Sequence, residues 1–225
     1  MLLEIPLYAQ TTDFTCGACA TLMVSRYFDE NVQLSKKNEF LVWADIIALP
    51  FKFSSPYRIA AFFIKKGFET KLIMKQKTIE ERKTLLNCCQ TDSSEKKVFF
   101  DFFKAYNRLL RDRIASSIVN RRPTLNDIIE GLSNYNPIVI LVNSYYTTKI
   151  RGEKNPDHLP HWIVVKGYEN KSFYINDSFY DPDLQVGETT IERQILKKAM
   201  DTYPRFGWPS ALISVGLNSK RNKKK

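Results

Sequence analysis

The sequence predicts an α+β fold, because patterns typical of helices fill its first half and patterns typical of strands fill its second. Apolar residues recur at helical spacing after residue 16 and again before residue 114. Short apolar runs bounded by turn residues follow from residue 138 onwards. The chain has 225 residues, of which 44% are hydrophobic, and this is enough to bury the core of one domain.

Each of the clearest helical patterns has a start or stop signal. Thr15 is a predicted N-cap, while Pro50 and Gly67 end the second and third helices. Thr124 and Asp127 resemble a capping box, with Asp in place of the usual Glu. The predicted helices are Cys16 to Phe28 or Asp29, 39–49, 58–66, 78–89, 99–114 and 124–134.

The strand patterns place two chemically interesting residues near each other. The predicted strands are 68–74, 138–142, 161–167, 172–176 and 211–215. A turn over 168–171 joins the third and fourth of these into a hairpin. Because antiparallel partners run in opposite directions, the start of one strand meets the end of the next. His161 and Asp177 are therefore predicted to lie at the same end of the hairpin.

Composition excludes several classes of protein. No apolar run approaches the roughly 18 residues that a membrane helix needs, and the first residues lack the basic and apolar segments of a secretory signal. Eight glycines and ten prolines are too few for a fibrous repeat. The sequence therefore predicts a globular protein that lies in the cytoplasm and keeps its four cysteines reduced.

The net charge of +10 is concentrated at the C-terminus, where five of the last six residues are Lys or Arg. A run of this kind is most often a solvated, disordered end, and 219–225 is predicted to be a disordered basic tail. The alternative is weak, salt-dependent contact with nucleic acid or an acidic partner. No zinc-finger spacing or RNA-recognition motif indicates a dedicated nucleic-acid module.

Four residues form a candidate site for thiol catalysis. Cys16 begins a predicted helix, and a helix N-terminus favours the thiolate form that acts as nucleophile. His161 is one of only two histidines and could serve as the base, with Asp177 orienting its ring. Gln10, six residues before the cysteine, could donate its side-chain amide to the oxyanion. Neither a cofactor nor a metal is expected for this chemistry.

The segments that carry these residues resemble the C39-like peptidases, papain-fold relatives of the double-glycine leader peptidases. The similar segments are Gln10–Gly17, the helix 124–134, the strand 138–142, 161–168 and 174–177. The resemblance implies Cys16 as nucleophile, His161 as base, Asp177 as orienting acid and Gln10 in the oxyanion hole.

The resemblance also implies a fold and a substrate class. It implies a papain-like domain over 1–218, with the cysteine-bearing helix packed on a C-terminal antiparallel sheet. Residues about 30–120 lie outside the similar segments and are predicted to be an extra helical region. The substrate would be a peptide or protein, cleaved at a peptide or isopeptide bond. The family usually has Pro-Ala after the Cys-Gly and Asp-Pro at the orienting acid, whereas this chain has Ala18-Cys19 and Asp177-Ser178. Asp181, which precedes Pro182, is therefore an alternative orienting acid.

Three other interpretations remain open. Cys16 and Cys19 form a Cys-x-x-Cys pair, the pattern of dithiol oxidoreductases. With His158 and His161 the same cysteines could form a Cys₂His₂ zinc site. The third alternative is a papain-like module that binds peptides or proteins without catalysis.

Overall fold

The structure is a computed structural model. The residues it describes are 1–48, 52–75, 98, 101, 105–106, 108–150, 152, 157–181, 186–202 and 210–218. The predicted helix over 78–89, most of the one over 99–114, the basic tail, Cys88 and Cys89 lie outside these residues.

Helices and one mixed sheet make up the described architecture. The helices are α1 (Cys16–Phe28), α2 (Lys36–Ile46), α3 (Pro56–Lys65), α4 (Leu125–Ser133), α5 (Ser144–Ile150) and α6 (Arg193–Asp201), with a 3₁₀ turn at Ala115–Ser117. The strands are β1 (Glu69–Met74), β2 (Ile118–Val119), β3 (Ile138–Asn143), β4 (Pro160–Glu169), β5 (Ser172–Asp181), β6 (Val186–Glu192) and β7 (Ala211–Gly216). This confirms the predicted α+β class, with the cysteine-bearing helix packed on β4 and β5.

The sheet has the strand order β2-β1-β7-β3-β4-β5-β6. Its β3, β4, β5 and β6 form an antiparallel run, and β1 pairs in parallel with the short β2. Every residue of β3 and β7 is buried, so both faces of the central sheet are covered. The hairpin β4–β5 turns at Asn170 and Lys171, with Asn170 in the left-handed region at φ 49°.

The second helix begins earlier and ends earlier than its pattern predicts. Ser35 is the N-cap of α2, and its side chain accepts a hydrogen bond from the backbone N–H of Asn38. Beyond α2, Ile47 pairs with Ser54 in an isolated antiparallel bridge, which takes the chain out of the helix before residue 49. The third helix likewise begins at Pro56, which occupies the first helical turn.

The segment about 30–120 is not purely helical. Its strand β1 pairs antiparallel with β7 along six residues, and α3 packs on both strands. Residues 108–113 are helical as predicted, but Leu109 is 70% exposed although its spacing predicts a buried position. The strands β1 and β7 pair with each other although they are far apart in sequence. We therefore propose that 1–218 folds as one domain.

A capping box at the start of α4 is confirmed. Thr124 accepts from the backbone N–H of Asp127, and Asp127 Oδ2 accepts from the backbone N–H of Thr124 at 2.7 Å. Arg121 Nη1 donates to the same carboxylate oxygen at 2.7 Å. Although burial raises the pKa of Asp127, the hydrogen bonds from Arg121 and Thr124 outweigh burial and hold that pKa at about 2.

Replacing Asp127 by Asn is expected to lower the free energy of unfolding by about 2 kcal/mol at pH 7, because the lost charge accepts several hydrogen bonds. Since the folded pKa lies below the ordinary value, this contribution is complete above roughly pH 5 and is lost as the pH falls towards 2. Urea unfolding at pH 7, 4 and 2.5 measures it. Glu130→Gln, at an exposed carboxylate of the same helix, is the control. An equal difference between wild type and Asp127→Asn at pH 7 and 2.5 would contradict the prediction.

None of the described helices combines the length and the apolar character that crossing a bilayer requires.

Candidate active site

Cys16 is the first residue of α1, as predicted, and is 5% exposed. The first N–H groups of a helix have no partner within the helix, and they favour negative charge beside them. Thr15 occupies the N-cap position, but its side chain does not cap the helix. Its hydroxyl donates instead to the carboxylate of Glu39. Thr15 therefore lies at the predicted N-cap position, but a buried carboxylate competes for the hydroxyl that would have capped the helix.

The hairpin β4–β5 brings His161 and Asp177 together. Asp177 pairs with Ile163, one diagonal step from His161 across the two strands. The distance between His161 Nε2 and Asp177 Oδ1 is 2.6 Å, and the two side chains are 8% and 2% exposed. An ionised carboxylate can only accept, so Nε2 carries the proton of this hydrogen bond. The same Oδ1 accepts from the backbone N–H of Phe179 at 2.9 Å.

Cys16 is the second neighbour of the His161 imidazole. Cys16 lies beside His161, close enough for its sulfur to raise the pKa of the imidazole. Since Nε2 is taken by Asp177, Nδ1 is the ring nitrogen left to interact with the sulfur. Burial lowers the pKa of His161, but the charge and hydrogen bond of Asp177 and the contact with Cys16 outweigh burial and raise that pKa well above its ordinary value. This arrangement favours a protonated imidazole between a sulfur atom and a carboxylate.

Gln10 lies beside the strand that carries Asp177. Its backbone N–H donates to the carbonyl of Ser178 at 2.8 Å, and its side-chain Oε1 accepts from the Ser178 hydroxyl at 2.9 Å. Its Nε2 donates one hydrogen to the carbonyl of Thr12 at 2.8 Å. A side-chain amide has two N–H hydrogens, so the second is available to another acceptor. Gln10 is thus tied to the residue that directly follows Asp177.

Gly17 is a packing position. A Cβ at Gly17 would lie 2.5 Å from Ser54 Cβ and 3.0 Å from Trp162 Cδ1. The space beside Gly17 is therefore filled by the protein's own Ser54 and Trp162 and is not open to a substrate backbone. Trp162 is 1% exposed and belongs to the core rather than to an open cleft.

Two of the four residues of the alternative zinc site, His158 and Cys19, lie beside partners that are not part of that site. His158 Nδ1 lies 2.9 Å from Asn143 Nδ2, and the His158 ring stacks on Tyr145 with centroids 4.4 Å apart. Cys19 is fully buried and lies beside the Glu39 carboxylate. Within the part of the chain that the structure describes, no group of three or more His, Cys, Asp or Glu side chains could hold a metal ion. Cys16 and Cys19 are both free thiols, not a disulfide.

Two neighbours of the site are not recognised from the sequence. Ser178 follows Asp177 and binds Gln10, but nothing in the local pattern distinguishes it from any polar strand residue. Glu39 is a carboxylate that is 0% exposed on α2. Its signal is present in the sequence, because Glu39, Val42 and Ile46 are spaced as one helix face, and a charge on an apolar face is unusual.

Known proteins with a similar structure are distant in sequence. The double-glycine motif protease from an AMS/PCAT transporter, in complex with its leader peptide, is 15% identical at a TM-score of 0.46 and covers 95% of this chain and 93% of its own. The peptidase domain of Streptococcus ComA is 14% identical at 0.48, with coverages of 96% and 100%. A C39-like peptidase from Bacillus anthracis is 13% identical at 0.47, with coverages of 97% and 98%.

The sequence model of one family covers most of the chain. No curated protein matches the sequence. The model of the Peptidase_C39-like family matches residues 5–211, which contain all four candidate site residues. The chain therefore belongs to the Peptidase_C39-like family.

Proposed function

We propose that the protein is a cysteine peptidase that hydrolyses a peptide or isopeptide bond, with Cys16 as its nucleophile. The observation that carries the proposal is the chain of contacts from Cys16 to His161 to Asp177. It joins the N-terminus of a helix to two adjacent strands, with His161 Nε2 2.6 Å from Asp177 Oδ1. A sulfur nucleophile, a base on one ring nitrogen and a carboxylate on the other are the groups that acyl transfer needs.

The steps of the reaction depend on the protonation states of Cys16 and His161. The Cys16 thiolate attacks the scissile carbonyl carbon, and the oxyanion accepts from the Cys16 backbone N–H and the second Nε2 hydrogen of Gln10. His161 gives its Nδ1 proton to the leaving amine, and the C–N bond breaks to leave a thioester. Water then attacks the thioester, while His161 takes a proton from water. The C–S bond then breaks, which releases the carboxylic acid and restores the Cys16 thiolate beside the protonated His161.

Asp177 is proposed as the orienting acid in preference to Asp181. Its carboxylate contacts the imidazole directly, and its Oδ1 is held by both the ring N–H and the backbone N–H of Phe179. The backbone N–H of Phe179 holds the carboxylate in place. The carboxylate in turn holds the imidazole so that Nδ1 is free to interact with Cys16. The negative charge also stabilises the imidazolium that persists until the leaving group is protonated.

The first substrates to test are peptides with a double glycine before the scissile bond. The name of one structurally similar protein describes a double-glycine motif protease bound to its leader peptide. Glycines have no side chains, so they suit a nucleophile that is itself largely buried, as Cys16 is. A library of extended peptides and Gly-Gly isopeptide conjugates, read by mass spectrometry, tests both kinds of bond.

The pH dependence of iodoacetamide alkylation tests the thiol–imidazole pair without any substrate. Peptide mass spectrometry follows the alkylation of each cysteine separately. Cys16 is expected to react fast well below pH 8, because the protonated imidazole beside it favours the thiolate. His161→Ala removes that imidazole and is expected to abolish the reactivity at low pH. Cys19, buried against a carboxylate, is the internal control and is expected to react slowly.

Each outcome of the alkylation experiment has one meaning. Fast reaction of Cys16 at low pH that disappears in His161→Ala supports the peptidase. Slow, ordinary reactivity of Cys16 contradicts it and favours a binding module that lacks catalysis. Protection of both Cys16 and Cys19 until a chelator is added would favour the zinc site instead.

A further inference from the structure

Glu39 is a buried carboxylate at a position where α2 otherwise packs with apolar side chains. It is 0% exposed, as is Ile46, while Val42 between them is 7% exposed. A carboxylate taken out of water is costly unless hydrogen bonds replace its solvation. The contacts of Glu39 should therefore explain why this position is charged.

All the described donors to Glu39 come from the segment that leads into α1 and from its first turn. Oε1 accepts from the backbone N–H of Thr11 at 2.9 Å and from the hydroxyl of Thr15. Oε2 accepts from the hydroxyl of Tyr8 at 3.0 Å. The Cys19 thiol also lies beside this carboxylate. The carboxylate thus ties together a stretch of chain from residue 8 to residue 19.

This stretch contains two of the proposed reacting groups. Gln10 lies between Tyr8 and Thr11, and Cys16 directly follows Thr15. We propose that Glu39 is a positioning residue, which holds the loop before α1 so that the Cys16 sulfur faces His161. The inference rests on the proposed function and adds a residue that touches neither substrate nor the reacting atoms.

The contact with Cys19 supports the same inference. Burial, followed by the charge of Glu39, raises the pKa of the Cys19 thiol, and burial together with the Glu39 carboxylate also raises the pKa of the Tyr8 hydroxyl. Both groups therefore remain protonated, so the Tyr8 hydroxyl donates to the carboxylate and the Cys19 thiol is able to do so. Two cysteines three residues apart are thereby given different environments: Cys19 faces a carboxylate and Cys16 faces an imidazole.

The chemistry of the carboxylate suggests three graded substitutions. In Glu39→Leu, every donor loses its acceptor, so the loop loses its attachment. In Glu39→Gln, the remaining oxygen can still accept from Thr11 and Thr15, and the amide N–H can face Tyr8, whose hydroxyl can turn and accept. Glu39→Gln is therefore the conservative variant. Thr15→Val keeps the shape of the residue before Cys16 and removes only its hydroxyl.

The test measures the rate of Cys16 alkylation by iodoacetamide at pH 6.5, together with kcat and KM on a peptide that the wild type cleaves. Glu39→Leu is expected to lower the alkylation rate and kcat by about 100-fold, the loss typical of a catalytic group displaced by 1 Å, while KM changes little. Glu39→Gln is expected to show a much smaller loss, and Thr15→Val an intermediate one. Thermal unfolding shows which variants remain folded.

Asp127→Asn is the matched control. Asp127 is also a buried carboxylate that accepts from a backbone N–H and a threonine hydroxyl before a helix, but that helix is α4. Its substitution is expected to lower stability and to leave the alkylation rate of Cys16 at the wild-type value. An equal loss of Cys16 reactivity in Asp127→Asn would overturn the inference, because destabilisation alone would then explain it.

The remaining outcomes also decide whether Glu39 acts as a positioning residue. A folded Glu39→Leu protein with the wild-type alkylation rate and kcat would overturn the inference and leave the proposed function standing. If Glu39→Leu does not fold, a slower rate in Glu39→Gln or Thr15→Val supports the inference, and wild-type rates in both overturn it. A wild-type Cys16 that reacts as an ordinary thiol would contradict the proposed function and this inference together.

Discussion

Replacing Cys16 by Ala is expected to lower peptide turnover by about 10⁴-fold or more, because the nucleophile of acyl transfer is removed. The fold should survive, since the change removes one sulfur atom from a small side chain at the start of α1 and leaves the helix intact. The measurement is the initial rate of peptide hydrolysis, with far-ultraviolet circular dichroism and thermal unfolding as checks on folding.

Cys19→Ser is the matched variant for this prediction. Cys19 is also a free, buried cysteine on α1, three residues further on. Serine retains a donor for Glu39 and removes the sulfur, so most of the turnover is expected to remain. A dithiol mechanism predicts the opposite, since it needs both sulfurs and would fail in either variant. Turnover retained in Cys16→Ala would refute the proposed nucleophile.

The parts of the site that local sequence rules determine were predictable. A hairpin with a short turn fixes which residues face each other, so the contact between His161 and Asp177 follows from the strand pattern and the turn at residues 170–171. The start of α1 at Cys16 follows from the polar residues before an apolar helical pattern. In both cases the residues that predict the feature lie within a few positions of it or in the same hairpin.

The parts that depend on contacts between distant elements were not predictable. Thr15 has the residue type of an N-cap, but its hydroxyl binds a carboxylate from α2, which no local rule anticipates. The strand β6 lies at an edge of the sheet, and its sequence Val-Gly-Glu-Thr-Thr-Ile-Glu is too polar to stand out as a strand. The helix α6 after it has a strong polar face, and it was missed for the same reason.

The start of α2 was misjudged for a different reason. Ser35 has the residue type of an N-cap and lies directly before the helix, so the signal for a start at Lys36 was present in the sequence. The predicted start at residue 39 discarded the first turn because its residues are polar. The predicted range still contains Glu39, Val42 and Ile46, so the charge on that apolar face was visible whichever start is taken.

Asp177→Asn is expected to move the alkaline limb of the pH–rate profile to lower pH by about one to two units, the usual effect of losing an opposite charge beside a titrating group. The direction of this shift follows from the raised pKa of His161. The Asp177 charge helps the imidazolium keep its proton, so without that charge the proton is lost at lower pH. Asparagine can still accept from His161 and Phe179, because both donors use Oδ1. The ring orientation should therefore persist while the charge is removed.

Asp181→Asn separates the two candidate acids. Both residues lie on β5, but Asp181 pairs with Val186, four residues beyond the position that contacts His161. The pH profile of Asp181→Asn is expected to coincide with that of the wild type, both in kcat/KM and in the alkylation rate of Cys16. A shift in Asp181→Asn together with an unchanged profile in Asp177→Asn would assign the orienting role to Asp181. A shift in neither would mean that the imidazolium is stabilised mainly by Cys16, since Cys16 is the other group that raises its pKa.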